Sequence, residues 1–343
     1  MENSISVIIP IRNEATFLNR CLDSVFDQIN IDNFVIEVII ADGLSTDSTC
    51  GIIREYQNNH PNLLLIENPG KIVPTGFNKA LMIAKGNIII RIDGHTVIAP
   101  DYVANCVKLL QESEAYNVGG RMNAMGTSRF GKAVAIATST PFGVGGSRFH
   151  YSEKEEWVDS VYMGAWEREV FEKIGLFDEE LVRNQDDEFN YRLRKSGGKI
   201  LLSPAIKSKY TVRSSPKALW KQYYQYGFWK VRVLQKHPGQ MSERQFIPPA
   251  FVASLFLSLI LAMFFPIFWV FFSLIAGMYL IANLLASMVS AAKKGWQHLF
   301  LLPGVFAILH ISYGLGFLVG LVKFANRWGD KIGKVPRFET FHE

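Results

Sequence analysis

The sequence predicts an α/β fold, with a doubly wound sheet in the first 240 residues followed by C-terminal helices that cross a membrane. Two observations carry this. Short apolar, β-branched runs alternate with helix-patterned stretches from residue 5 to about residue 112, at the spacing of successive βαβ units. The composition then changes abruptly. From Phe246 to Ala292 there is no Asp, Glu, Lys or Arg, and a second uncharged run goes from Gly295 to Val322.

The expected strands are Ile5–Ile9, Val35–Ala41, Leu63–Ile66 and Ile88–Ile92. Between and after them, residues 15–28, 47–57, 75–84 and 101–112 have helical patterning, the last starting just behind Pro100. Such alternation implies a mostly parallel sheet, and ligands of open sheets bind beyond the carboxyl ends of the strands. Polar residues immediately after each strand are therefore the first candidates for a site.

Residues 247–265 and 268–290 are expected spans, broken near Pro266. The 246–292 run would be about 70 Å long as a helix, against a hydrocarbon core of about 30 Å. The last run is long enough to cross once, but Pro303, His310, Gly314 and Gly316 make it irregular, so a re-entrant hairpin is the alternative reading. Lys293 and Lys294 lie between the runs. Lys323, Arg327, Lys331, Lys334 and Arg337 follow them, in a basic tail over 323–343. The positive-inside rule wants both groups in the cytosol, whereas three full spans from a cytosolic domain would put the tail outside. The first apolar run is too short for a signal peptide, which places the N-terminal part in the cytosol. The expected location is the cytoplasmic membrane, with several passes and a cytosolic domain.

The bulk composition agrees. Hydrophobic residues make up 49% of the chain and aromatic residues 13%, both high for a wholly soluble protein. The net charge of +5 suits an anionic membrane surface or a phosphate-bearing substrate. No nucleic-acid-binding signature accompanies it. Cys21, Cys50 and Cys106 form no CxxC pair, which argues against a zinc site or a disulfide framework. The uncharged spans argue against coupled transport.

Three polar clusters follow the expected strands: Pro10-Ile11-Arg12-Asn13-Glu14, then Asp42 to Thr49, then Asp93-Gly94-His95-Thr96. Asp47 alone reads as a helix cap, and an Asp-Gly pair alone as a turn. Two acidic clusters at strand ends of one sheet suggest more. A nucleotide donor presents a base edge, a ribose diol and a pyrophosphate. Asp42 is placed to accept from a base N–H or a ribose hydroxyl. Pyrophosphate repels carboxylates unless a divalent cation intervenes, and Asp93 with His95 directs an oxygen and an imidazole ligand at one Mg²⁺ or Mn²⁺.

At this point the sequence resembles a known family, the family 2 glycosyltransferases of the GT-A fold, over residues 4–236. Ser45-Thr46-Asp47 matches the family's STD triplet, and Asp42 its uracil-contacting aspartate. The stretch Gly86 to Asp93 is similar to the strand entering the DxD motif, and Asn78 matches an asparagine often found before it. His95 stands where most members have the second aspartate. Asp93-Gly94-His95 is similar to the variant of succinoglycan-biosynthesis glucosyltransferases. The resemblance implies Pro10, Arg12, Asn13, Glu14, Asp42, Asn78 and Asp93 as donor-binding residues, and Asp93 with His95 as metal ligands.

Further on, Gly175-Leu176-Phe177-Asp178-Glu179 and Asn184 to Arg194 look like the family's GxFDE and EDxDLxxRL segments, with Gln185 for the usual Glu. That match makes Asp186 the catalytic base. Independently, sugar transfer needs a base near the acceptor hydroxyl, and a carboxylate at a helix N-terminus among acidic neighbours suits the task. A solvated acidic first turn complementing the helix dipole is the plainer reading. Arg192 and Arg194 are expected to pair with these acids.

Residues 141–148 are glycine-rich but lack a P-loop pattern, so they read as a mobile loop or an ordinary connector. Residues 218–236 interleave aromatic and basic residues as an interfacial helix would. Lys230 and Arg232 there are candidate contacts to the leaving diphosphate. The QxxRW motif of processive family members is missing, since Gln225 to Trp229 reads QYGFW. The resemblance thus implies inverting transfer of one sugar from a nucleotide-diphosphate sugar, UDP-glucose first. The implied acceptor is a lipid-linked saccharide in exopolysaccharide or envelope glycan synthesis. A polyprenyl-phosphate sugar synthase and a non-catalytic nucleotide-sugar-binding scaffold are the rivals.

Overall fold

A computed structural model describes residues 3–330 and 333–338; Lys331 of the basic tail lies outside them. In chain order the elements are β1 (Asn3–Ile11), α1 (Ala15–Phe26), β2 (Phe34–Asp42), α2 (Thr49–Asn59), β3 (Leu63–Glu67), α3 (Val73–Ile83), β4 (Ile88–Arg91), β5 (Thr96–Ile98), α4 (Tyr102–Glu112), β6 (Ala115–Met125), α5 (Arg129–Thr138), α6 (Pro141–Val144), β7 (Glu156–Trp157), β8 (Tyr162–Glu167), α7 (Arg168–Ile174), α8 (Gln185–Lys195), β9 (Lys199–Thr211), α9 (Pro216–Lys236), α10 (Ile247–Ala262), α11 (Ile267–Lys294) and α12 (Leu302–Lys323). The chain forms two compact units. The first holds the residues up to Asn123, Tyr151–Tyr210 and the tail from Gly333; the second holds Ala124–His150 and the chain from Thr211 through the apolar helices. Residues 124–150 and 211–240 thus group with the apolar helices, whereas composition placed them in the N-terminal domain.

Among the described residues, the sheet of the first unit runs β3-β2-β1-β4-β8-β6-β9-β5, with β7 on β9. Its first four strands are parallel, as their alternation with helices predicts. The β4–β8, β8–β6 and β9–β5 pairings are antiparallel, so the sheet is mixed. The parallel strands are apolar on both faces because α1, α2, α3 and α4 cover them. Ile5, Val7, Ile9, Val38, Ile40, Ile88 and Ile90 form one core with Leu18 and Leu22 of α1 and Val103 and Val107 of α4. Cys21 and Cys106 are buried in that core, and Cys50 is partly buried. Parallel pairing brings the ends of β1, β2 and β3 to one edge: Ile11 lies beside Asp42, and Asp42 beside Glu67.

In the second unit, three helices are long and apolar enough to cross a membrane: Glu243–Ala262 including a preceding 3-10 turn, Ile267–Lys294 and Leu302–Lys323. The last apolar run is one unbroken helix, so the hairpin reading of it does not hold. Its glycines serve packing. A Cβ on Gly316 would lie 2.0 Å from the Tyr224 carbonyl of α9, and one on Gly227 would lie 2.0 Å from the Tyr313 carbonyl of α12. Bare glycines let α9 and α12 approach backbone to backbone. The glycine-rich segment after α5 is not a free loop. Thr140 caps α6, and Phe142 packs edge-on against Phe306 and His310 of α12 while its carbonyl sits 2.8 Å from His310 Nε2.

Candidate active site

The first cluster turns sharply at the end of β1. Asn13 takes a positive φ of 56°, and the start of α1 is then stapled to the loop after β2. The Asn13 amide N–H donates to Ser45 Oγ (2.8 Å), and Asn13 Oδ1 accepts from Thr46 N (2.8 Å). Glu14 N donates to Thr49 Oγ1 (2.9 Å) and Ala15 N to Asp47 Oδ2 (3.3 Å). The Ser-Thr-Asp triplet is therefore a clip between two strand-end loops. The Thr49 hydroxyl, with backbone N–H groups of Thr49 and Ala15, holds the Asp47 carboxyl below its usual range. Asp42 closes the same loop: Ser45 Oγ donates to its Oδ1 (2.5 Å) and Ser45 N to its Oδ2 (2.9 Å). Pro10 is buried within β1 and offers a ligand only its backbone, while Arg12 and Asn13 are exposed.

Beyond β4 lies a charged knot. Arg91 is buried at the strand end, and its Nε and Nη2 both reach Asp93 Oδ1, at 3.1 and 2.9 Å. Burial pushes the Asp93 carboxyl up, but Arg91, His95 and the Tyr162 hydroxyl outweigh it and hold Asp93 below its usual range. His95 Nδ1 lies 3.0 Å from Glu14 Oε1, joining the first and third clusters. Tyr162 on β8 completes the wall, with its hydroxyl 2.6 Å from Thr96 Oγ1.

Asp186 enters from α8. Asn184, at φ 63°, turns the chain into that helix, and the Asp187 amide donates to Asp186 Oδ1 (3.0 Å). Burial, then the neighbouring Asp187 carboxylate, raises the Asp186 carboxyl; Arg91 opposes this and Asp93 adds to it. Arg91 in turn is held charged by both Asp93 and Asp186 against the cost of burial. Asp93 thus bonds the buried Arg91 guanidinium directly, and Asp186 interacts with the same charge electrostatically. Arg192 grips Glu188 with Nε (2.7 Å) and Nη2 (2.9 Å) and also donates to the carbonyls of Ile174 and Leu176, so α8 is fixed to the end of α7. Arg194 pairs with Asp159 (2.9 Å) rather than with the acids of its own first turn.

Two expectations are corrected. Asn78 is fully buried and its amide is spent: Nδ2 donates to the Phe177 carbonyl (2.8 Å) and Glu179 Oε1 (3.1 Å), and Oδ1 accepts from Phe177 N (3.0 Å). It positions the 177–179 loop, with both N–H groups taken and the side chain closed off from solvent. Arg232 is fully buried in the second unit, where it donates to Gln235 Oε1 (2.6 Å) and reaches Asp330 Oδ2 at 3.4 Å, so it is no free diphosphate contact; Lys230 is buried as well. Sequence reasoning missed Arg91 and Tyr162. The signal for Arg91 was present, because a lone charge closes an Ile-Ile-Ile strand run.

Among the described residues no group of three His, Cys, Asp or Glu side chains gathers around one point. The donor set still suits a divalent cation that shares its coordination with substrate phosphates and water. Glu14 on His95 Nδ1 is the kind of carboxylate–imidazole pairing that orients metal-binding histidines, and Nε2 would be the nitrogen offered to such an ion.

Comparison with known proteins agrees with this arrangement. A family model, Glycosyl transferase family 2, matches residues 6–175. The succinoglycan biosynthesis protein ExoA of Rhizobium meliloti is 30% identical over 246 residues, covering 71% of this chain and 74% of that protein. A dolichyl N-acetyl-alpha-D-glucosaminyl phosphate 3-beta-D-2,3-diacetamido-2,3-dideoxy-beta-D-glucuronosyltransferase of Methanococcus voltae is 29% identical, covering 94% of this chain and 98% of that one. Among solved structures, a mannosyltransferase of Pyrobaculum calidifontis in complex with GDP-Man and Mn²⁺ shares the fold, at a TM-score of 0.54 and 20% identity over 95% of this chain and 87% of that chain. With a GT-A sheet carrying the matched segment and a relative at this identity over most of its length, the chain is a glycosyltransferase and belongs to family 2.

Proposed function

We propose that the protein transfers a single sugar, with inversion, from a nucleotide-diphosphate sugar to a membrane-associated, lipid-linked saccharide. The observation that supports this is the buried Arg91 guanidinium, hydrogen-bonded to Asp93 and drawn electrostatically to Asp186, which links the expected donor-side carboxylate to the expected base. Asp42, Arg12, Asn13 and Glu14 line the donor side. The acceptor hydroxyl oxygen attacks the anomeric carbon, its proton passes to Asp186, and the bond to the diphosphate breaks with the electron pair leaving on the nucleoside diphosphate. Burial and Asp187 keep Asp186 basic enough to take that proton. Asp93 and His95 would hold Mn²⁺ or Mg²⁺, which supplies charge neutralisation for the leaving diphosphate.

The lipid-linked acceptor is supported by the name of the Methanococcus relative, which acts on a dolichyl-linked sugar phosphate, and by the three apolar helices. UDP-glucose as donor rests on the resemblance of Asp42 to the family's uracil-contacting aspartate and of Asp93-Gly94-His95 to the glucosyltransferase variant. The reading places the catalytic unit at the cytosolic face of the cytoplasmic membrane. A donor screen with Mn²⁺ and lipid-linked saccharide, reporting the nucleoside diphosphate released, tests it. UDP release from UDP-glucose that depends on the saccharide is expected. Equal release with polyprenyl phosphate alone would instead identify a lipid-phosphate sugar synthase.

A further inference from the structure

Three helices qualify by length and hydropathy, yet the contacts within the second unit do not let all three run side by side through a bilayer. Helices α10 and α11 form an antiparallel hairpin. Phe251 stacks on Tyr279 with ring centroids 4.4 Å apart, and each lies about 17–18 Å along its helix from the turn between Ala262 and Ile267, at about 1.5 Å per residue. Helix α12 can be located against that ruler. The Pro303 carbonyl accepts from Asn283 Nδ2 (3.0 Å), and Phe317 packs on Phe246 at 5.9 Å; Asn283 and Phe246 both lie about 24 Å from the hairpin turn. Between them, His310 Nδ1 lies 3.0 Å from the Tyr279 hydroxyl, and a Cβ on Gly314 would meet the Pro248 carbonyl at 2.5 Å. Pro303 and Phe317 are about 21 Å apart along their own helix but sit at one level of the hairpin. Helix α12 therefore lies across the base of the hairpin.

Two further observations agree. Helix α9, which carries Lys217, Lys221, Lys230, Arg232 and Lys236, lies along residues 313–324 of α12, with Phe228 and Val231 against Phe317 and Phe324. Lys230, Arg232 and Lys236 are buried within the protein, but the exposed Lys217 and Lys221 would be costly beside a helix in hydrocarbon and are favourable at the headgroup level. The tail, moreover, ends in the first unit. Leu176 N donates to the Pro336 carbonyl (2.9 Å), Glu179 N to the Lys334 carbonyl (2.8 Å), and Lys334 N to Asp178 Oδ1 (2.9 Å). The unit that precedes α10 also holds the residues that follow α12, so the chain crosses an even number of times.

From this geometry we infer that, among the described residues, α10 and α11 are the only two crossings, and that α12 with α9 forms an in-plane platform that partners the headgroup layer on the side of the membrane from which α10 starts. The inference rests on the membrane reading above. It also reconciles Lys293 and Lys294 with the basic tail, since both then lie on one side.

The test is labelling of the full-length protein in sealed vesicles of either orientation with an impermeant maleimide, above the background of the native cysteines. The variants are Phe264→Cys, Phe300→Cys and Val322→Cys, whose side chains are 71%, 92% and 80% exposed. Asn58→Cys on α2 marks the catalytic side. Only variants that retain sugar transfer are scored. Phe300→Cys and Val322→Cys should both label with Asn58→Cys, and Phe264→Cys only from the opposite face. Labelling of Phe300→Cys and Val322→Cys from opposite faces would show three crossings and overturn the inference. If all four label from one face and alkaline carbonate extracts the protein, the membrane reading itself fails.

Discussion

Arg91 illustrates how one residue organises the pocket. A guanidinium at the end of a buried strand is tolerated because Asp93 bonds it and Asp186 adds an attractive charge, and it in turn offsets the repulsion between the two carboxylates. Arg91→Met should therefore lower stability by about 3–5 kcal/mol, the usual cost of stranding buried charge, and abolish transfer. Arg91→Lys should restore part of both, as read by thermal unfolding in detergent alongside turnover. Asp186→Asn should reduce turnover by about 10²–10⁴-fold while leaving the donor dissociation constant unchanged, since only proton acceptance is removed. The same carboxyl sets a pH dependence. Its pKa is raised by burial and then by Asp187, and only the ionised form accepts a proton, so activity should fall as pH drops through that raised value. Asp187→Asn removes a neighbouring negative charge, lowers the Asp186 pKa and should move the acid limb of kcat/KM to lower pH. At this scale the strand-end acids were legible because the alternation of strands and helices fixes which residues face the ligand edge. The spent amide of Asn78 was not, because its partners are a backbone segment about a hundred residues away.

Among the elements, the parallel half of the sheet follows from local pattern, since each β-branched run is followed by a helix that must return the chain. The antiparallel half does not. Strand β8 pairs with β4 across more than seventy residues, and nothing in the local period of Tyr162–Glu167 names that partner. The structure adds how α8 is held at working distance. Asn78 clips the 177–179 loop to α3, and Arg192 clips α8 to α7. Asn78→Ala would leave the Phe177 N–H and carbonyl unpaired in the core, at about 1–3 kcal/mol for each buried group left unsatisfied. The expected outcome is a lower unfolding temperature and reduced turnover with donor affinity retained. A weakened donor affinity at unchanged stability would return Asn78 to the donor site. The third apolar run was legible as a membrane segment from its length and lack of charge, but Pro303, Gly314 and Gly316 hid that it is one unbroken helix. Its direction was not, because hydropathy is blind to whether an apolar helix crosses a bilayer or lies along it.

For the whole molecule, the tail is the feature that sequence concealed most completely. Composition reads it as basic, but what ties residues 333–338 to the first unit is mainly backbone: three hydrogen bonds to Leu176, Asp178 and Glu179, with Val335 laid against Gly175. Backbone pairing of this kind leaves no side-chain pattern to read. The segment it braces is the one that Asn78 clips and that leads into α8, so the tail, α3 and α7 all converge on the approach to Asp186. Ending the chain after Asp330 removes those three bonds, each worth about 0.5–1.5 kcal/mol net, and bares the 175–179 loop. Such a truncation should stay in the membrane through α10 and α11, lose about 2–4 kcal/mol of stability in the first unit, and turn over more slowly at saturating donor and acceptor. The donor dissociation constant should barely change, because Asp42 and the Asn13–Thr46 clip are untouched. A synthetic peptide covering residues 331–343, added back in excess, should recover part of the lost turnover if the brace acts through position. Full turnover in the truncated protein without the peptide would mean that the loop before α8 holds itself, and that the tail plays no part in placing Asp186.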